Sequence, residues 1–531
     1  MPVNFEHGDR DDTSENGAAS RKGAPPQRLD VAIIGAGVSG LATALALCRH
    51  PQLSQRIGAI TLYDQQVRVG GVLCHKRSKG YLLEGAAQGV LASRQPFADL
   101  LDHAGLNERV RSTRPGLRRF LILPQTLRLA TASPNPLALV RQGILSFRAL
   151  LRALCEPLVR RHAAAVNETL FDFVARRFGH DVAQRMIIPL ATGIWAGGAR
   201  RLVARHVMPN LTAWESQWGS VLRGAVASAW NRFRTKERTS EQDGRRRKGL
   251  LTLEGGMQNF AEGLHVLVLK TAAEQGIHVT TRLGVTVDSW QVQVSHPRYL
   301  LHLRRSTTHP SKESSPRGEV PDGAHAHALF TSVPLWRQTV TYLTPQEGDV
   351  DRARDDFARE RLEQLASTPS HSVVVVGIGG RDNRPPPQGF GALAPESSPD
   401  LLGVLFVHSI APEHAPAGHF LFRVLLGGDR DPSFTERSDE SCLARAREWL
   451  VDLGLMTTHA STEFTAVFKW PKVIPLQDEG QDERLRAMAE LERVFPGLIF
   501  VGNYRTGVGV NDCLLSAQDG VRRWAEQLDE Q

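Results

Sequence analysis

The stretch LDVAIIGAGVSGLATALAL occupies residues 29–47 and decides the fold. Its aliphatic and β-branched residues 29–34 predict a buried strand, and the Leu- and Ala-rich residues 41–47 predict a helix. Between them the glycines are spaced as Gly35-x-Gly37-x-x-Gly40. In such a turn the first glycine permits the bend, the second lets the backbone approach a pyrophosphate, and the third lets the helix pack on the strand. The stretch therefore predicts a Rossmann-type phosphate-binding turn, although the spacing alone also arises by chance.

The residues that follow extend this unit and favour one dinucleotide. A second strand over residues 60–63 ends at Asp64, where a carboxylate commonly accepts hydrogen bonds from ribose hydroxyls; the alternative is a turn residue at a strand end. Arg68-Val-Gly70-Gly71 then offers a phosphate counter-charge and a second close backbone approach. NAD enzymes rarely need a second glycine turn here, so the pattern favours non-covalent FAD over NAD. The alternative is a hairpin turn with a solvated arginine.

Composition sets broader bounds. The chain has 531 residues, 41% hydrophobic and 23% charged, which predicts a globular protein with two or more lobes. Its 64 basic and 56 acidic residues give +8, an excess that suits an anionic substrate or an acidic membrane surface and does not require nucleic acid. Five dispersed cysteines without a CxxC pair argue against disulfides and a zinc site, and favour reduced thiols in the cytoplasm.

Several segments suggest organisation beyond the glycine turns. Residues 1–27 are polar, lack the apolar core of a secretory signal and predict a disordered tail. No stretch approaches the roughly 20 apolar residues of a spanning helix, so the chain can at most lie on a bilayer. Residues 134–182 form a basic, amphipathic helical pattern, whereas residues 234–249 and 306–322 predict surface loops. Alternating runs at residues 371–377 and 402–407 predict a sheet beside the nucleotide domain.

Four further motifs occur in a fixed order: TGIWAG at 192–197, LEGGMQ at 253–258, GFGALAP at 389–395 and GNYRTGVGVNDC at 502–513. Together with the glycine turns they resemble the protoporphyrinogen oxidase family, within the group that holds the flavin-containing amine oxidases. The likeness runs from about residue 29 to residue 527. It implies an α/β fold with a Rossmann-type FAD-binding domain, a sheet-based substrate domain and a mainly helical membrane-associating domain.

The resemblance also implies domain bounds. FAD-binding segments are expected at 28–115, 251–300 and 471–531. A substrate and helical membrane-associating region is expected at 116–250, and a substrate domain at 301–470 with a surface loop at 301–325.

The expected cofactor site combines the glycine turns with residues carried over from the family. Val285 is expected to contact the adenine through its backbone, and residues 507–510 are expected to lead into a helix over 512–527 whose N-terminus stabilises negative charge on the reduced flavin. The full expected set is Gly35, Ala36, Gly37, Val38, Ser39, Gly40, Asp64, Gln65, Arg68, Gly70, Gly71, Val72, Ala86, Ala87, Gln88, Gly89, Val285, Trp470, Val508, Gly509 and Val510.

The chain departs from the family at two places. Ala86-Ala87 follows Glu84-Gly where the family has glycine-proline, and LQDEGQ at 476–481 stands where the family has PQY and then GH. Both departures concern the edge of the FAD site and the region near the flavin, so they put the substrate in more doubt than the fold.

By resemblance, the reaction is the FAD-dependent oxidation of protoporphyrinogen IX to protoporphyrin IX, with six electrons passing to oxygen in three rounds that release peroxide. No catalytic side chain and no metal are required, because the cofactor carries the redox chemistry. The alternatives are oxidation of coproporphyrinogen III, an amine oxidase or carotenoid desaturase, and a flavin-binding homologue without catalysis.

A porphyrinogen pocket should be large and apolar, with a cation near each propionate. Arg94, Arg119 and Arg205 are candidate cations, and the alternative for each is a solvated surface arginine. Trp195, Phe390 and Phe406 are candidate wall residues or core residues. The helices at 134–166 either rest on anionic lipid at the inner face of the cell membrane or form a solvated face. Members of the family often form homodimers.

Overall fold

The structure is a computed structural model that describes residues 28–91, 95–114, 116–161, 167–239, 249–293, 298–306, 322–335, 341–343 and 352–530. The expected tail at 1–27 lies outside these residues, as do 307–321 of the second expected loop.

The strands, in chain order, are β1 Leu29–Ile34, β2 Ile57–Asp64, β3 His75–Ser78, β4 Tyr81–Glu84, β5 Val90–Leu91, β6 Val110–Ser112, β7 Arg119–Ile122, β8 Leu129–Thr131, β9 Leu250–Leu253, β10 His278–Leu283, β11 Val285–Val292, β12 Tyr299–Arg305, β13 Gly323–Ala326, β14 Ala328–Thr331, β15 Thr341–Leu343, β16 Ser370–Arg381, β17 Gly391–Leu393, β18 Leu401–Phe406, β19 Phe420–Gly427, β20 Ser461–Pro475 and β21 Leu498–Phe500.

The α-helices are α1 Val38–Arg49, α2 Leu53–Arg56, α3 Gln95–His103, α4 Pro136–Arg141, α5 Phe147–Leu154, α6 Leu170–Phe178, α7 His180–Val182, α8 Ile188–Trp195, α9 Ala204–Val207, α10 Pro209–Trp218, α11 Val221–Thr239, α12 Gln258–Glu274, α13 Arg352–Ala366, α14 Val407–Ile410, α15 Asp439–Asp452, α16 Gln481–Val494 and α17 Val510–Asp529.

A five-stranded parallel sheet, ordered β10-β2-β1-β14-β21, carries the first glycine turn. Successive side chains of a strand point to opposite faces. Val31 and Ile33 of β1 accordingly pack with α1, α12 and α17, whereas Ala32 and Ile34 pack with β12, α13 and α16. Both faces are covered, as parallel sheets require, and the expected Rossmann-type domain is confirmed.

Two of the expected domain bounds differ from those that the strand pairing gives. Strand β14 pairs with β1 and β21, so residues 328–331 belong to the nucleotide-binding sheet rather than to a separate substrate domain. The expected surface loop at 301–325 is also wrong at both ends, because β12 and β13 pair antiparallel in a four-stranded sheet ordered β13-β12-β11-β15. The buried side chains of Tyr299, Leu301 and Leu303 explain why β12 is a strand.

A seven-stranded sheet, ordered β20-β16-β19-β18-β17-β7-β8, forms the second layer. It contains both alternating runs, in β16 and β18, so the expected second sheet is confirmed. One face packs on α15, and the other packs on Tyr81 and Leu83 of β4. Strand β20 runs from 461 to 475 and therefore crosses the expected boundary at 470.

The helical region packs on the seven-stranded sheet through α8, which contacts β17 and β18. The expected helical pattern at 134–182 is broken into α4, α5, α6 and α7. The expected loop at 234–249 is wrong for its first residues, since α11 continues to Thr239; residues 232–239 contain no glycine or proline to end it. No helix in the described ranges is long and apolar enough to cross a membrane.

A buried ion pair fixes these helices to one another. The carboxylate of Glu156 accepts hydrogen bonds from the Nε atom of Arg177 at 2.6 Å and from the N–H of Val221 at 2.9 Å, at the start of α11. Arg177 and Glu156 are both fully buried. The pair therefore ties α6 to the N-terminus of α11.

Candidate functional site

A cavity of about 830 Å³ lies between the five-stranded and seven-stranded sheets. The glycine turns after β1 and β2, the segment after β4 and the start of α17 line one part of it. Apolar side chains of β16, β18 and β19 line another part. One cavity therefore joins a phosphate-binding edge to an apolar wall.

The first glycine turn places bare backbone at the cavity. Gly35 has φ of +99°, and its N–H donates to the carbonyl of Tyr63 at 2.7 Å. Helix α1 begins at Val38, so its N-terminus faces the cavity, which Gly37, Val38 and Ser39 line. A Cβ on Gly40 would collide with the carbonyl oxygen of Gly35. The turn thus has the local geometry that its spacing predicts.

Asp64 connects the first turn to the segment that follows β2. Its Oδ2 atom accepts the N–H of Ala36 and its Oδ1 atom accepts the N–H of Gln66, each at 2.8 Å. The carboxylate lies at the cavity and is 9% exposed. Asp64 is therefore placed as a ribose-binding residue would be, and it also holds the first turn against β2.

The second glycine turn approaches the first directly. The Gly70 N–H donates to the Ala36 carbonyl at 2.8 Å, and a Cβ on Gly71 would lie 3.2 Å from the Cα of Gly37. Arg68 is expected to supply a phosphate counter-charge, but its side chain does not line the cavity. Its guanidinium donates to the carbonyls of Val69, Gly71 and Leu73, so it stabilises the turn from behind.

The segment from Gly85 to Gly89 forms the junction between the two sheets. The indole N–H of Trp470 on β20 donates to the Gly85 carbonyl at 2.7 Å, and the guanidinium of Arg423 on β19 donates to the Ala86 carbonyl. Both alanines that replace the family's glycine-proline line the cavity. Side chains of the second sheet thus hold the backbone that departs from the family.

Glu84 anchors the same segment to the LEGGMQ motif. Its Oε1 atom accepts the N–H of Met257 at 2.7 Å. The carboxyl is 1% exposed, and burial raises its pKa to about 7, against the opposing effects of the Met257 N–H and the charge of Arg423. Glu84 therefore holds a proton more readily than a solvated carboxyl does.

The C-terminal motif supplies the remaining backbone edge. Helix α17 begins at Val510, two residues earlier than expected, and Asp512 accepts the N–H of Gly509 at 3.1 Å. Val508, Gly509 and Val510 line the cavity. The positive end of a 20-residue helix is thereby directed at the cavity.

Most of the expected cofactor residues meet at this one cavity. Those that line it are Gly35, Gly37, Val38, Ser39, Asp64, Gln65, Gly70, Gly71, Val72, Ala86, Ala87, Gln88, Gly89, Val285, Trp470, Val508, Gly509 and Val510. Ala36, Gly40 and Arg68 instead shape the turns behind the lining. Sequence reasoning missed Ser332 and Val333, which follow β14, because residues 328–331 were assigned to the other domain; it also missed Arg423, for which the sequence holds no local signal.

The candidate wall residues separate clearly. Phe390 lines the cavity beside Val373, Val375 and Leu405. Trp195 packs instead in the core of the helical region, and Phe406 is fully buried in the core beneath the seven-stranded sheet. Of the three expected wall residues, Phe390 is therefore the one placed to touch a ligand.

The candidate cations also separate. The guanidinium of the exposed Arg119 stacks over the Phe390 ring, with 5.2 Å from Cζ to the ring centroid, and so lies beside the cavity wall. Arg205 forms an ion pair with Asp482 at 2.5 Å. Arg94 lies outside the described residues.

These features fit a dinucleotide with an aromatic ring system. Two glycine turns leave a cradle that side chains would fill, and the amide of Gln88 is buried with neither its Oε1 nor its Nε2 atom bonded within the described part of the chain. The described residues contain no group of three or more side chains that could hold a metal ion. The site is built from backbone donors, as flavin and pyrophosphate binding requires.

Comparison with known proteins identifies a family and relatives to which the chain is similar. Residues 38–285 match the family described as flavin-containing amine oxidoreductase. The chain is 24% identical over 507 residues to the mitochondrial protoporphyrinogen oxidase of Nicotiana tabacum, covering 92% of each chain. It is 22% identical over 492 residues to the coproporphyrinogen III oxidase of Bacillus subtilis (strain 168), covering 91% of this chain and 95% of that one.

Solved structures share the fold. A protein of Exiguobacterium sp. 255-15, whose name assigns it provisionally to the protoporphyrinogen oxidases, superposes with a TM-score of 0.70 at 18% identity, over 94% of this chain and 99% of that one. Cyclohexylamine oxidase from Brevibacterium oxydans IH-35A superposes with a TM-score of 0.57 at 13% identity, over 94% and 100% of the two chains. The mixed α/β architecture is thus that of flavin amine oxidases.

Gly40→Ala should abolish FAD binding. The added methyl group would collide with the Gly35 carbonyl and move α1 away from β1, at a cost of about 1–3 kcal/mol in the free energy of unfolding. Bound flavin per chain, measured after denaturation, should fall at least roughly tenfold. Gly276→Ala is the control, because its added Cβ strains a backbone with φ of +65° but meets no atom within 4 Å. Full FAD occupancy in Gly40→Ala would contradict the assigned turn.

Glu84→Gln should remove a pH dependence of stability. The folded-state pKa of Glu84 is raised to about 7, so the folded protein binds the Glu84 proton more tightly than the unfolded chain does. The stability that this proton contributes is fully present below the unfolded pKa near 4.5 and is lost as pH rises to 7. The glutamine retains an acceptor for the Met257 N–H without this loss. Between pH 5 and pH 8 the variant should therefore gain up to about 3 kcal/mol relative to the parent protein in unfolding titrations. The exposed Glu526→Gln is the control, and a difference independent of pH would refute the assignment.

Proposed function

We propose that this chain, an FAD-dependent oxidoreductase similar to the flavin-containing amine oxidoreductases over residues 38–285, oxidises a porphyrinogen in haem biosynthesis. The proposed reaction converts protoporphyrinogen IX to protoporphyrin IX with molecular oxygen as the acceptor. Six electrons and six hydrogens leave the substrate, and three oxygen molecules become three molecules of hydrogen peroxide.

One observation carries this proposal: the phosphate-binding turns and an extended apolar wall belong to the same cavity. Val373, Val375, Leu405 and Leu425 present aliphatic side chains from neighbouring strands of the seven-stranded sheet. Such a wall suits a large, flat and apolar ring system. The similarity to a protoporphyrinogen oxidase and a coproporphyrinogen oxidase over more than nine-tenths of the chain supports the same substrate class.

The residues of the chain bind, orient and shield the reactants. When bound, FAD supplies the two-electron redox chemistry at its ring system. The apolar wall excludes water, and the α17 N-terminus and the amides of residues 508–510 favour negative charge at the ring they face. Arg119, stacked on Phe390, is the proposed cation for a propionate at the mouth of the cavity.

An amine oxidase is the second candidate, and the charge of the cavity argues against it. Arg423 places a buried guanidinium on the wall beside the Ala86 carbonyl. A protonated amine would meet this charge without a matching carboxylate from the neighbouring strands, whereas a propionate would be attracted. The similarity of the chain to coproporphyrinogen III oxidases makes coproporphyrinogen III the main alternative within the porphyrinogen class.

Oxygen uptake by the purified yellow protein tests the function. With protoporphyrinogen IX we expect three molecules of oxygen consumed for each protoporphyrin formed, measured by an oxygen electrode together with porphyrin fluorescence. Coproporphyrinogen III and simple amines serve as competing substrates in the same assay. Faster turnover of an amine, or flavin without any uptake, would each refute the proposal.

We further propose that the helices α4 and α5 contact the inner face of the cell membrane from the cytoplasm. Five apolar side chains on these helices and the turn after them are 47–82% exposed: Leu137, Phe147, Leu151, Leu154 and Leu158. Arg141, Arg148, Arg160 and Arg161 are exposed among them. Apolar side chains interleaved with arginines are typical of a helix that lies on anionic lipid.

Vesicle binding separates this proposal from a solvated face. The double variant Leu151→Glu, Leu158→Glu should bind phosphatidylglycerol-rich vesicles at least roughly tenfold more weakly in a flotation assay, because both apolar contacts are lost and negative charge is added. The matched control is Val266→Glu, Leu269→Glu on α12, where both side chains are also exposed. Equal binding by the two variants would refute the assigned face.

A further inference from the structure

Arg423 is a buried cation on the cavity wall. It lies on β19 between Leu405 of β18 and Gly377 of β16, and its side chain is on the face that also bears Leu421 and Leu425. The residue is 4% exposed. One Nη atom donates to the Ala86 carbonyl, while the Nε atom has no hydrogen-bond partner in the described part of the chain.

The surroundings of Arg423 balance its charge poorly. No carboxylate of the described residues lies within 4.0 Å of it, and its ionisable neighbours are Glu84 and Cys74. Burial raises the pKa of both neighbours, which weakens each of them as a counter-charge for the guanidinium. By contrast Arg304, which also lines the cavity, donates two hydrogen bonds to Asp288 at 2.7 and 3.0 Å.

A buried guanidinium without a counter-ion is costly, and a ligand can supply the missing charge. Gln88 lies two residues after the carbonyl that Arg423 binds, is 7% exposed and lines the same cavity. Its amide N–H₂ and carbonyl are both unbonded within the described residues. An unbonded Arg Nε and an unbonded amide donor at one cavity suit a carboxylate, which accepts up to four hydrogen bonds.

We propose that Arg423 and Gln88 form a carboxylate-binding subsite inside the cavity, which selects substrates that carry an acidic side chain. The inference rests on the proposed function, because it assigns the second anionic group of that substrate. It differs from the proposed role of Arg119, which is exposed and stacks on Phe390 beside the cavity. Arg119 and Arg423 would then each bind a different carboxylate of one substrate.

The cofactor's phosphates are a less suitable partner for this cation. The amides of the first and second glycine turns, on the five-stranded sheet, already provide the phosphate-binding edge. Arg423 belongs to the seven-stranded sheet, among the aliphatic residues of the proposed substrate wall. Its charge is therefore placed for the substrate.

The test compares an acidic ligand with its neutral ester. Coproporphyrin III and its tetramethyl ester are both fully oxidised porphyrins, so neither reacts with the enzyme. Their Kd values for the FAD-loaded protein follow from changes in flavin absorbance. Arg423→Met should weaken binding of the acid at least roughly 30-fold and change binding of the ester little. Arg423→Lys should restore part of the loss. Arg522→Met, which removes an exposed arginine on α17, is the control.

Each other outcome overturns the inference. Equal weakening of acid and ester would make Arg423 a support for the Ala86 segment only. An unchanged acid-to-ester ratio together with a shifted flavin midpoint potential would assign the charge to the cofactor. Failure of this inference can be told apart from failure of the proposed function. A parent protein that binds the acid through Arg423 but leaves porphyrinogen unoxidised contradicts the proposed function alone. Turnover with an unchanged KM in Arg423→Met contradicts this inference alone.

Discussion

The cavity depends on the direct approach of two glycine backbones. Gly37 and Gly71 lie so close that a Cβ on Gly71 would be 3.2 Å from the Cα of Gly37. The Gly70 N–H bonds the Ala36 carbonyl, and the Asp64 carboxylate bonds the Ala36 N–H, so both polar groups of Ala36 are satisfied within the turn. This arrangement leaves the neighbouring amides directed at the cavity, where an anion can bind.

A second constraint connects this edge to the other sheet. The carbonyls of Gly85 and Ala86 accept hydrogen bonds from Trp470 and Arg423, which belong to different strands of the seven-stranded sheet. Glu84, immediately before them, bonds the start of α12 through Met257. A five-residue segment thus meets both layers of the molecule. These side-chain donors hold the backbone at the place where the chain departs from the family.

Charge is distributed unevenly along the cavity. Asp64 ends β2 of the five-stranded sheet, and Arg304, which is paired with Asp288, lies on β12 of the four-stranded sheet. Arg423 lies on the apolar wall. The helix N-termini of α1 and α17 add positive potential from the backbone. A cavity of this character favours anionic ligands, and its aliphatic wall favours an apolar ring to which the anionic groups are attached.

The sequence by itself determined the strand, turn and helix of residues 29–47, the second glycine turn and the order of the later motifs. These features are local: glycine permits backbone conformations that other residues avoid, and the spacing of three glycines determines which amide faces a phosphate. The tertiary structure alone decided that β14 joins the first sheet, that Arg68 turns back onto the carbonyls of the second glycine turn, and that Arg423 reaches Ala86. The last contact spans 337 positions and depends on the register of β19 with β16 and β18, which no local pattern encodes.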